Sequence, residues 1–382
     1  MEVQKKKILM FHPSLAPYRI DQFNSLNELF DLTVVFLFDN IWNNKMDQAK
    51  LLSQCNFRIL FLLEGPQRKD KVFFRFGMLR MIKKIQPDII MGFEYSLTTQ
   101  FLILWKQLGI IRQKIGTTVD DSMDICNNMP SKVRFLARRW SIRFLDFLVV
   151  MSDEVSGFYQ ENFKLKECQL IVSPILQNPE KLRANGEELE AIAQQYLQKY
   201  NLKNKKVLLF VGRLAPEKAL PSFLSTISSD LLTDPDRIFA IVGEGPELSL
   251  LQTIVEEKKL HDNIIFTGRL EGNSLYAWYL CGSGLVLPSI SETFGAVVNE
   301  ALIFGMPVLC SCYAGASSLI TSGKGLIFNP SDKHSTIERT MLFLKTIKSV
   351  GEIRLADKPS MMENYQSQFN KEWAKLTNST SK

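Results

Sequence analysis

The 382-residue chain has no run of about 18 apolar residues, so no membrane-spanning helix is read from it. Residues 32–38 and 101–105 are two of its longer apolar stretches, and they stop at Asp39 and Lys106. Lys5-Lys6-Lys7 precede only four apolar residues, 8–11, before His12 and Pro13. That run is too short for the core of a secretory leader and reads as the first buried strand of a cytoplasmic protein. Cysteine is scarce: Cys55, Cys126, Cys168, Cys281, Cys310 and Cys312 are too few for a disulfide scaffold and suit a reducing compartment. Histidine is scarcer. His12, His261 and His334 form no cluster, and Cys310-Ser311-Cys312 has no His beside it, so no metal is expected. With 20 Gly and 15 Pro, collagen-like and low-complexity classes are excluded.

What remains is an ordinary globular composition, 46% hydrophobic and 23% charged, long enough for two domains. The net charge of +6 is unevenly placed. Residues 1–170 hold 24 Lys and Arg against 18 Asp and Glu, and the rest holds 22 of each. Two stretches concentrate the excess. One carries Arg68, Lys69, Lys71, Arg75, Arg80, Lys83 and Lys84 against Asp70 alone. The other carries Lys132, Arg134, Arg138, Arg139 and Arg143 with no acid between them. Large apolar residues interleave with both: Val72, Phe73, Phe74 and Phe76 in the first, Phe135, Leu136, Trp140 and Phe144 in the second. The spacing predicts amphipathic helices that could meet an anionic membrane surface, or else core helices with solvated cations. Nucleic acid is not expected, because no zinc-finger, RNA-recognition or helix-turn-helix signature accompanies the charge.

Short apolar runs alternate with longer helical stretches. The runs fall at 8–11, 32–38, 88–91, 114–119, 147–151 and 169–172, then at 207–212, 238–243, 264–267, 284–287, 308–310 and 325–328. This rhythm predicts two doubly wound α/β domains with parallel sheets covered on both faces. Prolines at 174 and 179 mark the join. The expected divisions are 1–175, 176–357, and a final 358–382 whose helix packs back toward the N-terminal domain before a frayed tail.

The second half carries the sharper chemistry. Gly212-Arg213-Leu214-Ala215-Pro216-Glu217-Lys218 follows a buried strand, with Pro216 expected in the first turn of a helix. Ligands of open α/β sheets bind beyond the carboxyl ends of strands, and Arg213 and Lys218 flank that place as anion-binding candidates. Gly243-Glu244-Gly245-Pro246 and Thr267-Gly268-Arg269 end two more strands. Then come Ser291-Glu292-Thr293-Phe294-Gly295 and, eight positions after Glu292, Glu300. A helix is expected from about 293–295 to Gly305, with Pro307 beyond it. Along a helix, eight residues span roughly 12 Å. That is too long for a carboxyl pair acting on one bond, at about 5–10 Å. It suits the two ends of an elongated ligand with an anionic middle, or two ordinary surface glutamates.

The run from Ser291 to Ala301 resembles the E-x7-E signature of GT-B-fold glycosyltransferases, specifically glycosyltransferase family 4, also called group 1. Gly212-Arg213-Leu214 with Glu217-Lys218, Gly243-Glu244-Gly245-Pro246, Phe266-Thr267-Gly268 and Gly305-Met306-Pro307-Val308 resemble its other motifs, in order, over about 120 residues. The resemblance implies two Rossmann-like domains facing each other across a cleft. It implies a retaining transferase that uses a nucleoside diphosphate-sugar, a glycan or lipid-linked acceptor, no cofactor and no metal. Glu292 would bind the sugar hydroxyls, and the backbone of Thr293, Phe294 and Gly295 would contact sugar and phosphate. Glu300 would hold the ribose, and Arg213 and Lys218 would neutralise the diphosphate. Gly212, Gly243, Glu244, Gly268 and Arg269 would complete the donor site.

In the first half, Pro13-Ser14-Leu15-Ala16-Pro17-Tyr18-Arg19 resembles bacterial surface-polysaccharide transferases of the same family, as in lipopolysaccharide and capsule synthesis. It offers Tyr18 and Arg19 for acceptor contact. The glycine pair that many relatives carry in this loop is absent. Asp120-Asp121 stand where relatives often have His-Asp, so either is a candidate to position or deprotonate the acceptor, or a plain helix cap. Glu94 ends the preceding strand and is a third candidate on the acceptor side. Two rivals share these features: a sugar-nucleotide 2-epimerase of the same fold, and a non-catalytic nucleotide-sugar-binding protein. The cell address implied is cytoplasmic, peripheral on the inner face of the membrane.

Overall fold

The computed structural model describes residues 5–38, 48–62, 67–68, 71–72, 76–128, 131–231, 234–362 and 365–378. The chain divides into two compact units. The first is Met1–Gln177 with Asn364–Lys382, and the second is Asn178–Glu363.

The first unit holds a seven-stranded parallel sheet. Its strands are β1 (Lys7–His12), β2 (Asp31–Phe36), β3 (Arg58–Phe61), β4 (Ile89–Phe93), β5 (Lys114–Thr118), β6 (Phe147–Val150) and β7 (Leu170–Val172). They lie in the order β3-β2-β1-β4-β5-β6-β7. Ile8, Leu9, Met10 and Phe11 of β1 are nearly all inaccessible because helices cover both sheet faces. Each such side chain contributes about 1.5–3 kcal/mol by leaving water. Helix Tyr365–Asn378 completes one face, packing Phe369, Trp373 and Leu376 with Phe30. The Trp373 indole donates to Ser173 Oγ at 3.1 Å.

The second unit holds six parallel strands: β8 (Lys206–Val211), β9 (Arg237–Val242), β10 (Ile264–Gly268), β11 (Gly284–Leu287), β12 (Val308–Ser311) and β13 (Gly325–Phe328). Their order is β10-β9-β8-β11-β12-β13. Phe210, Phe239, Phe223 and Phe343 belong to its core.

The two doubly wound sheets agree with the sequence, with four corrections. Residues 58–61 form an extra edge strand. This four-residue run opens on an exposed Arg58 and is only half-buried, so its apolar signal is weak. Pro216 starts a 3-10 turn, Pro216–Lys218, rather than a helix; Ala219, at φ 51°, separates it from helix Leu220–Leu231. The helix expected from 293–295 starts at Ala296, because Gly295 adopts φ 93° and breaks the turn. Finally, the first basic stretch is not one amphipathic helix. Gln67–Arg68 and Lys71–Val72 pair as short antiparallel strands, and only Met78–Ile85 is helical. Lys69, Asp70, Phe73, Phe74 and Arg75 lie outside the described residues.

Among the described residues no helix is long and apolar enough to cross a membrane.

Candidate functional site

In the second sheet, β8 is flanked by β9 on one side and β11 on the other, so the winding direction reverses between β8 and β11. Loops leaving the carboxyl ends of strands at such a reversal form the usual ligand crevice of open α/β sheets. Those two loops are 212–218 and 288–295, which hold most of the expected donor residues. Main-chain bonds tie them together: Ile290 N and Ser291 N donate to Glu217 O at 3.0 and 3.5 Å. Across this junction the Lys218 ammonium pairs with Glu292 Oε2, both side chains being more than four-fifths buried. Ser289 Oγ donates to the same oxygen at 3.4 Å.

Glu292 is not on the helix that carries Glu300. It lies in the preceding loop, in an isolated parallel bridge with Ala314. Gly315 N donates to its carbonyl at 3.3 Å, and Ala316 N donates to Phe294 O at 2.7 Å. The helical rise of roughly 12 Å therefore does not describe this glutamate pair. The loop holds Thr293 exposed, Phe294 buried, and Gly295 as the N-cap of helix Ala296–Ile303. Glu300, on that helix, accepts from the Tyr279 hydroxyl at 2.6 Å.

Arg213 does not join this pair. Its exposed guanidinium bonds Glu217 at 2.5 Å, a pair that solvent leaves weak. Gly243 and Gly245 serve the scaffold. A β-carbon on Gly243 would lie 1.9 Å from Gly212 O, and one on Gly245 would lie 2.3 Å from Leu214 O. The loop after β9 can thus lie directly on the loop after β8, where Leu214 N donates to Glu244 O at 2.9 Å. Gly268 O accepts from Gly243 N at 2.9 Å. Glu244 Oε1 lies 3.5 Å from Arg269 N, while the Arg269 side chain bonds Glu271.

The first unit builds a second, separate cluster at its own reversal, between β1 and β4. Glu94 ends β4 in a left-handed backbone conformation, φ 54°, which few residues other than glycine adopt. The conformation is held by its main chain: Glu94 N donates to Thr118 O at 2.7 Å, and its carbonyl accepts from Thr117 and Thr99 hydroxyls at 2.8 and 2.9 Å. Its carboxylate accepts from Asp120 N at 3.1 Å and Arg134 Nη2 at 2.6 Å. Burial outweighs the Arg134 charge and pushes the Glu94 carboxyl up to about 7.

Asp120 and Asp121 have different surroundings. The Asp120 carboxylate pairs with Arg19, which is itself buried and also donates to Gln22 Oε1 at 2.8 Å. Asp121 is wholly buried. It accepts from Arg134 at 2.9 Å and from the Tyr159 hydroxyl at 2.6 Å, with Arg138 at 3.8 Å. Burial raises its pKa. Neither aspartate caps the following helix; Ser122 does, accepting from Ile125 N at 3.4 Å. Tyr18 is exposed beside Arg19. His12 is buried among Phe23, Phe36 and Phe93, and burial, with the Arg19 charge, lowers its pKa to about 3.

The sequence reading missed Arg134 and Arg138 as members of this cluster, taking them for surface cations. Helix Lys132–Ser141 turns both inward, and Arg138 lies over the Phe135, Phe158, Tyr159 and Phe163 rings. Their spacing of four, on one helical face, was the available signal. Among the described residues no group of three or more His, Cys, Asp or Glu side chains is placed to hold a metal ion.

Comparison with known proteins bears mainly on the second unit. Residues 193–353 match the family described as glycosyl transferases group 1. Sulfoquinovosyl transferase SQD2 of Arabidopsis thaliana is 33% identical over 144 residues, which is 37% of this chain and 27% of that protein. Alpha-monoglucosyldiacylglycerol synthase of Streptococcus pneumoniae is 27% identical over 257 residues, 63% of this chain and 56% of that protein. The chain thus spans little more than half of one relative and about a quarter of the other. Among solved structures, Anabaena HepE in complex with UDP and glucose superposes with a TM-score of 0.65 at 16% identity, covering 97% of this chain and 96% of that one. That likeness is one of fold, and with the two sheets it shows the GT-B architecture. Lys218, Glu292 and Glu300 all lie within residues 193–353, the segment that matches the group 1 glycosyl transferases.

Proposed function

We propose that this protein is a retaining glycosyltransferase that moves a sugar from a nucleoside diphosphate-sugar to a glycan or lipid-linked acceptor of a cell-surface polysaccharide. The observation that carries the reading is the Lys218–Glu292 pair at the sheet reversal, within the family-matched segment. A carboxylate and an ammonium held side by side suit a ligand that presents hydroxyls next to phosphate. Glu292 would accept from the sugar hydroxyls, and Lys218 would stay with the diphosphate. Arg213, exposed and only weakly engaged, would swing to the same anion. The main chain of Thr293, Phe294 and Gly295 would meet sugar and phosphate, with Gly212, Gly243, Glu244, Gly268 and Arg269 framing the nucleotide.

In the reaction, the bond between the sugar's anomeric carbon and the β-phosphate oxygen breaks. A bond from the same carbon to the acceptor oxygen forms on the same face. The acceptor's proton passes to the departing phosphate. Negative charge grows on that phosphate, so fixed cations there lower the barrier. On the acceptor side, Tyr18 is exposed, and Glu94 combines a left-handed backbone with a semi-buried carboxyl, features of the kind found at functional sites. Asp120 and Arg19 would fix the loop beside it, while Asp121 anchors Arg134 and Arg138.

The test is a panel of UDP-, GDP-, ADP- and dTDP-sugars without added metal, read by thermal shift and by nucleotide release. Stabilisation by one base class with release of its nucleotide supports the reading; no response to any of them sinks it. Glu292→Ala is expected to lose turnover by a hundredfold or more, about the cost of one transition-state partner. It should keep part of the nucleotide affinity through Glu300, Arg213 and Lys218. Unchanged turnover would remove Glu292 from the site.

Peripheral contact with an anionic membrane belongs to the same reading. Helix Lys132–Ser141 exposes Val133 (78%) and Leu136 (63%) beside exposed Lys132, Arg139 and Arg143. The neighbouring helix Leu97–Gln107 and the turn after it expose Leu97, Leu104 and Leu108. An apolar face rimmed by cations is the composition that binds such surfaces. Because Arg138 points inward, the charge to reverse is at Arg139 and Arg143. Arg139→Glu/Arg143→Glu is expected to lose sedimentation with vesicles rich in anionic lipid; sedimentation equal to the parent's would show that this face is not the contact.

A further inference from the structure

We propose that Tyr279 is a positioning residue: its hydroxyl fixes the Glu300 carboxylate so that the site favours nucleotides with an intact ribose diol. The inference rests on the donor reading of Glu300 given above and adds a residue that no motif marks.

A glutamate's terminal torsion is soft and roughly two-fold, so a lone carboxylate samples many orientations. A diol needs one orientation, with acceptor lone pairs presented to two hydroxyls at once. Tyr279 supplies the constraint. Its ring is inaccessible to solvent and stacks on Phe304 at 5.7 Å with an interplanar angle of 7°. Its hydroxyl reaches Glu300 Oε2 at 2.6 Å. Burial and the adjacent carboxylate keep this phenol protonated, so it is a permanent donor. This bond to Oε2 restrains the plane of the carboxylate, whose two oxygens together offer about four lone-pair sites.

The mounting of both helices is equally fixed. Tyr279 lies near the end of helix Asn273–Cys281, where the buried Lys358 ammonium donates to Leu280 O at 2.9 Å and Gly282 O at 2.7 Å. Glu300 lies near the end of helix Ala296–Ile303, where Arg183 donates to Ile303 O at 2.9 Å. A cation at each carboxyl end opposes the helix dipole and satisfies terminal carbonyls. The donor and acceptor of the Tyr279–Glu300 bond are therefore carried on two capped helices.

The experiment compares UDP with 2′,3′-dideoxy-UDP, and the GDP and ADP pairs likewise, by calorimetry on the full chain and on Tyr279→Phe. The parent should bind its preferred ribonucleotide more tightly than the dideoxy form. Tyr279→Phe should weaken the ribonucleotide about tenfold, the effect of one hydrogen bond to a charged group. It should leave the dideoxy form within about twofold. In a Glu300→Ala background, Tyr279→Phe should have no further effect on either. Equal weakening of both forms, or of neither, would overturn the proposal, because a merely structural hydroxyl does not distinguish the sugars. If the parent binds no ribonucleotide, the donor reading itself fails, and this inference fails with it.

Discussion

Glu94 shows what a single side chain costs. Its carboxyl titrates near 7 in the fold, against about 4.5 when unfolded, because burial disfavours the charged form more than Arg134 favours it. The folded state thus holds this proton over a range where the unfolded chain has released it. The stabilising contribution is fully present below about pH 4.5 and is lost as pH rises through about 7. At 1.36 kcal/mol per unit, the total is about 3 kcal/mol. Glu94→Gln removes the titration, so the parent's stability relative to this variant should fall between pH 5 and pH 8 in denaturant melts. A constant difference across that range would mean that the carboxyl titrates normally. Glu94 was legible in the sequence as a strand-end acid. Its left-handed backbone was not, because nothing in Gly92-Phe93-Glu94-Tyr95 states that two threonine hydroxyls, from Thr99 and Thr117, will hold its carbonyl.

At the level of elements, the parallel strands were readable because buried strands are continuous apolar runs. Edge strand β3 was not, because an edge gains less burial and its four residues open on arginine. The E-x7-E segment was found by its residues but misjudged in geometry. Glycine at 295 permits the φ of 93° that delays the helix, so Glu292 belongs to a loop and Glu300 to a helix. Helix Lys132–Ser141 was expected from its charge, yet its arginines divide: Arg134 and Arg138 enter the acid cluster, and Arg139 stays outside. Amphipathic spacing alone does not say which cations find buried carboxylates. Helix Tyr365–Asn378 carries its own prediction. Trp373 is 2% exposed, fills the space beside Phe30 and Phe369, and donates to Ser173. Trp373→Ala should cost the first unit about 3–5 kcal/mol, the usual cost of deleting a buried aromatic. A denaturant midpoint shift corresponding to under 1 kcal/mol would show that the helix is dispensable there.

Considered as one chain, the molecule keeps the segment that matches the group 1 glycosyl transferases inside a unit that begins and ends within the other unit's sequence. Residues 178–363 interrupt a first unit that is resumed only at 364. The return helix supplies Phe369, Trp373 and Leu376 to the sheet that β1 begins. A ribosome therefore delivers the whole second unit before it delivers the last wall of the first. The second unit can close on its own residues while the nascent first sheet still has an apolar face bare, including Phe30. The insertion thereby sets an order of maturation: the second unit is the one free to finish first, and the first unit waits for residues 365–378.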